Sequence, residues 1–150
     1  MGYHNKLIWV PFEPKHLLSF DDADALQLIQ SGGAELMKEN FSRTAILKET
    51  GDVICCGGYH EFIFKTKFNA WAFLTTKAKD HVLEITKYVK RTLQESDAPR
   101  IECHTIAGFD KAFKFAKAVG FKCETPEPIE NYTFDLQSVY QHSIIKNKKE

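Results

Sequence analysis

The stretch Asn69-Ala-Trp-Ala-Phe-Leu-Thr-Thr76 says more about the fold than any other segment of this chain. Both of its alternating sets of side chains are apolar, which is typical of a strand buried on both faces in the middle of a sheet. The clearest helical pattern follows directly, with one apolar stripe formed by Ala78, Val82, Ile85, Val89 and Leu93. A further strand is predicted at Arg100 to Ile106. The segment therefore predicts a right-handed crossover between two parallel strands.

The sequence before this crossover predicts shorter elements. They are a strand at Lys6 to Val10, two short helices separated by Ser31-Gly32-Gly33, and a hairpin of two strands, Ser42 to Lys48 and Val53 to Phe62. Gly57 and Gly58 lie inside the second hairpin strand and predict a bulge or the close approach of another group. This part of the chain should therefore contribute antiparallel strands.

After the crossover, the sequence predicts one more helix and two strands. The helix has an apolar stripe and stops at Gly120, and the strands lie near Phe121 to Glu124 and Tyr132 to Leu136. The full order indicates an α+β fold with a mixed, mostly antiparallel central sheet and helices on both faces. We expect residues 1–150 to form a single domain, with residues 146–150 as a frayed polar tail.

The composition is that of an ordinary globular domain. Of the 150 residues, 43% are hydrophobic and 27% are charged, which is enough apolar material for a buried core. The 20 Lys and Arg residues balance the 20 Asp and Glu residues, so no overall positive field favours a phosphate backbone and nucleic-acid binding is disfavoured. No run approaches the ~20 apolar residues of a membrane span, and no secretion signal is recognisable, so we expect a soluble, cytoplasmic protein.

The four cysteines, Cys55, Cys56, Cys103 and Cys123, lie in predicted strands. None of them has the spacing of zinc ligands, so we expect no metal site and free, buried thiols. Adjacent Cys55 and Cys56 point to opposite faces of a strand and cannot share one metal ion by themselves.

The late segment Ala112-Phe-Lys-Phe-Ala-Lys-Ala-Val-Gly-Phe121, together with the order of the elements, resembles the GNAT superfamily of N-acetyltransferases. In element order the likeness covers almost the whole chain, and in residues it is concentrated in the long strand, the helix after it and this segment. The chain also looks like the small acetyltransferase-like proteins of short-tailed bacteriophages, some of which are internal virion proteins. That resemblance implies the host cytoplasm or the virion as the location.

The resemblance implies acetyl-CoA, or another acyl-CoA, as the cofactor. Its pantetheine arm would insert like an added strand between Asn69 to Thr76 and Arg100 to Ile106. Its pyrophosphate would be bound by backbone N–H groups at the start of the main helix. The implied cofactor-binding residues are Leu74, Thr75, Thr76, Lys77, Ala78, Lys79 and Asp80.

Two features depart from the pattern of the family. Its pyrophosphate loop carries glycines, whereas Thr76-Lys-Ala-Lys-Asp-His81 contains none, although Lys77 and Lys79 could compensate as point charges. The family often places a Tyr as general acid in the late helix, and Ala116 stands at that position. These departures favour a second hypothesis, a non-catalytic interaction protein on the same fold.

Three residues are candidates for proton transfer. Glu61 ends the second hairpin strand, where related enzymes commonly hold an acidic base, and it is the preferred candidate. Glu102 and His104 lie two apart on one strand, so they share a face and could act as a base and its orienting partner. Each also has a structural interpretation, as a hydrophilic strand end for Glu61 and as a solvated or helix-covered sheet face for the other two.

The leading hypothesis is therefore a GNAT-fold protein that binds an acyl-CoA and transfers the acyl group to an unknown amine. The alternative is a non-catalytic interaction or internal virion protein of the phage type, with phage or host proteins as partners. Nucleic-acid binding through basic side chains ranks third; these are Lys65, Lys67, Lys77 and Lys79. A homodimer would cover exposed sheet edges, but no residue pattern names an interface.

Overall fold

The computed structural model describes residues 5–20, 23–133 and 135–146. Within these ranges it has seven strands, β1 (Leu7–Pro11), β2 (Phe41–Leu47), β3 (Val53–Ile63), β4 (Lys67–Leu74), β5 (Arg100–Ile106), β6 (Lys122–Cys123) and β7 (Val139–Ile145). The same ranges hold four α-helices, α1 (Ala23–Ser31), α2 (Gly33–Lys38), α3 (Val82–Glu95) and α4 (Asp110–Ala118). Short 3-10 helices span Pro14–Ser19 and Thr76–His81. No helix in the described part of the chain is long and apolar enough to cross a membrane.

The strands form one mixed sheet in the order β1-β2-β3-β4-β5-β7-β6. β4 and β5 pair in parallel, as the predicted crossover requires. The pairs β1–β2, β2–β3, β5–β7 and β6–β7 are antiparallel. The predicted α+β class with a mixed, mostly antiparallel sheet is confirmed, and β5 has the predicted bounds.

The chain forms two compact units. The first comprises Met1–His60 and Ala70–Ile85, and the second comprises Glu61–Asn69 and Thr86–Glu150. That residues 1–150 constitute one domain remains a prediction, because a domain is defined by how the chain folds and unfolds.

The core of the first unit consists of small and aromatic apolar side chains. Its buried members are Phe12, Leu17, Ala25, Ala34, Met37 and Cys56, with Trp71 and Phe73 of β4 packed against them. The Phe12 ring lies edge-on to the Trp71 indole, with 5.1 Å between the ring centroids. Such edge-to-face pairs add to the gain from burial, so β4 is tied to this core through one of its faces.

The prediction that β4 is buried on both faces is wrong. Ala72 and Leu74 are exposed, and Leu74 keeps 47% of its surface accessible. An all-apolar strand indicates what could be buried, but whether an element covers each face depends on the rest of the fold. The main helix also differs from the prediction. A 3-10 helix occupies Thr76–His81 ahead of it, and Val82, a member of the predicted apolar stripe, is 51% exposed.

The hairpin between β3 and β4 ends in exposed apolar side chains. Phe62, Ile63 and Phe64 are 62%, 51% and 74% exposed. The Lys67 Nζ lies 4.3 Å from the centroid of the Phe62 ring, and the Lys65 Nζ lies 5.2 Å from that of Phe64. Since adjacent residues of a strand point to opposite faces, neither face of this hairpin end is covered.

Buried apolar side chains of the second unit lie on α3, β5 and β7. Leu93, Ile101 and Val139 are 5%, 0% and 1% exposed. The Phe113 ring of α4 lies edge-on to His142 of β7, with 4.9 Å between centroids. The His142 Nε2 is 2.8 Å from the Thr105 Oγ1, and burial lowers the pKa of this histidine.

The last strand lies later in the chain than the predicted Tyr132 to Leu136. Asn131 and Leu136 have positive φ angles of 52° and 64°, and the Thr133 Oγ1 accepts the backbone N–H of Gln137 at 2.8 Å. These local bonds make a turn, in which a strand cannot continue. Phe134, inside the predicted strand, lies outside the described residues. The last strand is β7 instead. Its sequence contains adjacent polar residues, so apolar and polar side chains do not alternate clearly along it.

The predicted frayed tail begins at Lys146, and this residue is bound in the structure. Its Nζ donates to the carbonyls of Leu93 and Gln94 at 3.2 and 2.9 Å, and its backbone N–H donates to the Pro99 carbonyl. A lysine that satisfies the last carbonyls of a helix acts as a C-terminal cap. Residues 147–150 lie outside the described residues.

Candidate functional site

The segment predicted to bind the cofactor runs from the end of β4 through the 3-10 helix Thr76–His81 to α3. Thr75 is anchored, because its hydroxyl and its backbone N–H both donate to the Ile54 carbonyl, at 2.6 and 3.0 Å. Ala78 is buried and donates its N–H to the Thr75 carbonyl at 3.0 Å. The first N–H groups of any helix have no partner within it. The N–H groups of Thr76 and Lys77 therefore stand at the helix start as potential anion donors.

The charged side chains of this segment are exposed and of both signs. Lys77, Lys79 and Asp80 all lie at the surface. The Lys77 Nζ donates to the Asp52 Oδ2 at 2.7 Å, and this hydrogen bond lowers the pKa of the Asp52 carboxyl. A phosphate ligand would therefore have to share Lys77 with Asp52.

Part of β4 lies outside its ladder with β5. The parallel register joins Lys67–Asn69 to Arg100–Glu102, which is three residues of the eight in β4. Buried side-chain atoms that have no hydrogen-bond partner in the described part of the chain include the His60 Nδ1, the Asn69 Oδ1 and the Trp71 Nε1. Burial also lowers the pKa of His60. Since a buried unsatisfied polar atom costs about 1–3 kcal/mol, β3 and β4 carry unused hydrogen-bonding capacity.

Glu61, the preferred catalytic candidate, lies in β3, two residues before the strand ends at Ile63. It is half-buried, and its Oε2 accepts the backbone N–H of Lys65 at 3.0 Å. Lys65 has a positive φ of 57°, as expected in a tight turn. The structure thus gives Glu61 a part in closing the hairpin, and its catalytic role stays a prediction.

Glu102 is a buried carboxylate held by two cations. It is 5% exposed, with the Lys67 Nζ 3.3 Å from its Oε1 and the Arg100 Nε 2.6 Å from its Oε2. The side chains of Lys67 and Arg100 are themselves 23% and 28% exposed. A buried carboxylate paired in this way acts as a fixed anion that organises its neighbours.

His104 lies on the same face of β5 as Glu102, as predicted, and Gln141 stands beside both. The Gln141 Nε2 is 3.5 Å from the Glu102 Oε2, and its Oε1 is 3.4 Å from the His104 Nε2. The Tyr132 ring stacks on the imidazole, with 4.8 Å between centroids and 26° between planes. The side-chain amide of Gln141 therefore links Glu102 to His104.

The Arg100 guanidinium also binds a second carboxylate, Glu124. This hydrogen bond lowers the pKa of the Glu124 carboxyl to about 2, with smaller contributions from Ser143 and Gln141. The Gln141 Nε2 donates to the Glu124 Oε1 at 3.1 Å. Glu124 consequently stays ionised through the physiological range of pH and fixes one end of the network.

Acid should weaken the fold through Glu124. Its folded-state pKa of about 2 lies below the ordinary 4.5, so the stabilisation is present above pH 4.5 and is lost as the pH falls from 4.5 towards 2. Urea titrations across this window should show the wild type losing more stability than Glu124→Gln, which has no proton to take up there. The Glu124 side chain is 28% exposed, so solvent reduces the effect. Parallel pH curves for the two proteins would contradict the assignment.

A surface depression of about 610 Å³ lies in the second unit. Asp110, Phe113, Cys123, Glu124 and Tyr140 contribute to its wall, and none of the predicted catalytic or cofactor-binding residues does. Glu124 belongs both to the wall of this depression and to the network around His104, so the two adjoin. We place the candidate site at the network because its groups are linked to one another by hydrogen bonds and ion pairs.

Several solved acetyltransferase structures have the same arrangement of elements. A GNAT-family acetyltransferase from Bacillus anthracis superimposes with a TM-score of 0.65 over 94% of this chain and 95% of its own, at 12% identity. Ribosomal-protein-S5-alanine acetyltransferase from Vibrio fischeri gives 0.65 over 98% and 97%, at 12% identity. Spermidine/spermine N-acetyltransferase from Vibrio cholerae gives 0.62 over 93% and 92%, at 13% identity. The chain has the GNAT fold.

The GNAT likeness is one of structure, since no family model and no curated protein matches the sequence. None of the three structures named above is described as a phage protein, so the phage resemblance stays a prediction. Ala116, which the sequence resemblance places where the family often carries a Tyr, is 4% exposed and lies in α4. An alanine at this position has no proton to donate.

The sequence analysis did not name Arg100, Glu124, Tyr132 or Gln141 of this network as site residues. Arg100 could have been found, because it lies two residues before Glu102 and thus on the same face of the strand. Gln141 could not, since it faces His104 only in the register of β7, and that strand was predicted elsewhere. Burial raises the pKa of Cys55 and Cys103 to about 12 and that of Cys56 further, so these thiols are unreactive. Among the described residues no group of three His, Cys, Asp or Glu side chains could hold a metal.

Proposed function

We propose that this protein binds an acyl-CoA, acetyl-CoA in the first instance, and transfers the acyl group to an amine. The observation that carries the proposal is the GNAT fold, which extends over nearly the whole chain. At 12–13% identity this likeness does not transfer individual residues, so each role is argued from the chemistry of this chain.

The segment Leu74 to Asp80 fits a pyrophosphate in its donor set. Helix-start N–H groups and the nearby Lys77 and Lys79 ammonium groups are what a doubly charged phosphate pair requires. The pantetheine arm would take its hydrogen bonds from the backbone of β4 beyond Asn69, where the ladder with β5 has ended. The exposed Leu74 side chain would lie against its apolar part.

Bound acyl-CoA would supply a thioester carbonyl for attack by an unprotonated amine. The C–N bond would form as the C–S bond breaks, and the proton that the nitrogen then loses would go to the departing thiolate of CoA. The chain must first remove a proton from the ammonium form of the acceptor. His104 is suited to this step because its imidazole is half-buried and oriented by Tyr132 and Gln141. Glu102 would hold a fixed negative charge near His104. Glu61, the preferred candidate from the sequence, is the alternative base in this proposal.

The second candidate function is a non-catalytic interaction protein on the same fold. Three observations favour it: the helix start has no glycine, Lys77 is already paired with Asp52, and Ala116 replaces the usual acid. Protein partners, including phage or host proteins and a second copy of the chain, belong to this candidate. Whether acyl-CoA binds distinguishes the acyltransferase from the interaction protein.

The test is calorimetric titration of acetyl-CoA into the wild type and into Lys77→Glu and Lys79→Glu, at low and moderate salt. We expect micromolar affinity, weakened about tenfold in each variant, because a charge-assisted bond to phosphate becomes a repulsion. Lys90→Glu, which reverses an exposed lysine of α3, serves as the control and should bind normally. No heat and no thermal stabilisation at millimolar acetyl-CoA would refute the proposal and favour the interaction protein.

If acetyl-CoA binds, the acceptor screen should begin with spermidine and with an alanine-containing peptide of ribosomal protein S5. These are the amines for which two of the structurally similar enzymes are named. The rate of thiol release, compared among wild type, His104→Gln and Glu61→Gln, then decides which residue takes the proton.

A further inference from the structure

Gln141 connects two carboxylates to the His104 imidazole. Its Nε2 lies 3.1 Å from the Glu124 Oε1 and 3.5 Å from the Glu102 Oε2. Its Oε1 lies 3.4 Å from the His104 Nε2. An ionised carboxylate can only accept hydrogen bonds, so the NH₂ end of the amide must face the two glutamates.

The orientation of the amide determines the tautomer of the histidine. Because the Gln141 Oε1 can only accept, the hydrogen between it and His104 must reside on the Nε2 of the ring. A neutral imidazole carries one proton, so the lone pair is left on the Nδ1. We propose that Gln141 is a positioning residue that holds neutral His104 protonated on Nε2, with Nδ1 as its proton-accepting atom.

Two further observations support this role. Gln141 is the residue directly opposite His104 in the antiparallel register of β5 and β7, so backbone pairing fixes their separation. The Tyr132 ring stacks on the His104 imidazole and so restricts the rotation of the imidazole about its bond to Cβ. That the Nδ1 takes its proton from an amine rests on the proposed function, whereas the tautomer and its control by Gln141 do not.

The experiment is long-range ¹H–¹⁵N NMR of the histidine side chains in the full-length protein, at a pH where His104 is neutral. The chain has six histidines, and His104→Gln identifies the signals of interest. A solvated imidazole also favours the proton on Nε2, so the decisive signal is the exchange of that proton with water. We expect exchange to be about two- to tenfold faster in Gln141→Leu, the factor that one lost hydrogen bond represents. Glu127→Gln, which neutralises an exposed carboxylate outside the network, is the control and should behave as the wild type.

A proton on the His104 Nδ1 in the wild type would overturn the inference, and that result does not depend on any variant folding. Equal exchange rates in wild type and Gln141→Leu would also overturn it. The expected spectra in a protein that fails to bind acetyl-CoA would support the inference and refute the proposed function, so the two failures are distinguishable. In an active enzyme, Gln141→Leu should lower kcat about two- to tenfold at unchanged KM.

Discussion

Replacing Glu102 by leucine should lower the free energy of unfolding by about 3 kcal/mol. The carboxylate is 5% exposed, and its loss leaves the Lys67 and Arg100 side chains without their shared counter-charge. Breaking a buried pair costs about 3–5 kcal/mol, and the lower end applies because both cations keep about a quarter of their exposure. Urea unfolding monitored by circular dichroism measures the change.

Glu127→Leu is the matched control, because Glu127 is exposed and its replacement should change the stability by less than about 0.5 kcal/mol. If Glu102→Leu were no more harmful than this control, the two ion pairs of Glu102 would contribute nothing to the fold. Glu102→Gln keeps the shape of the side chain and should be the milder variant. Activity measured on it would then report on the charge alone.

Gly58→Ala should destabilise the first unit by about 3 kcal/mol or more, since overpacking against backbone atoms leaves little room for relaxation. An added Cβ would lie 2.7 Å from the Cα of Ser42, the residue paired with Gly58 across β2 and β3, and still closer to the Phe41 carbonyl oxygen. Backbone cannot move aside as a flexible side chain does. Thermal unfolding, with the shift in Tm as the readout, measures the effect.

Gly108→Ala separates this clash from the ordinary cost of replacing a glycine. Gly108 has a φ of +92° and nothing within 4 Å of an added Cβ, so its replacement should cost only about 1–2 kcal/mol of backbone strain. Similar losses in Tm for the two variants would mean that the strands separate at Gly58 without penalty.

The sequence allowed the fold to be predicted wherever side-chain periodicity had a single explanation. The β5 strand alternates cleanly, and the hairpin of β2 and β3 is marked by its turn, so both were predicted correctly. Gly57 and Gly58 were expected to mark either a bulge or the close approach of another group. The backbone of Ser42 lies close to Gly58, whereas the register shift lies between Ala45 and Ile46. The periodicity of one strand does not show at which residue of the neighbouring strand the pairing becomes irregular.

The errors have physical causes of the same kind. Tyr132 to Leu136 alternates like a strand, yet the side chain of Thr133 captures the backbone, and local bonds override the pattern. Of the candidate site, the sequence predicted the part that lies on one strand, namely that Glu102 and His104 share a face of β5. Gln141, which joins them, is 37 residues beyond His104 and becomes visible only through pairing of distant strands.

The bare end of the β3–β4 hairpin has a consequence for the behaviour of the protein in solution. The isoelectric point is about 7.0, so at neutral pH molecules carry no net charge to keep them apart. The three adjacent exposed apolar side chains at this hairpin end then provide a contact that costs little to form between copies. We expect colloidal stability to be poorest near pH 7 and to improve on either side of it, with Phe64→Ser flattening that dependence in light scattering.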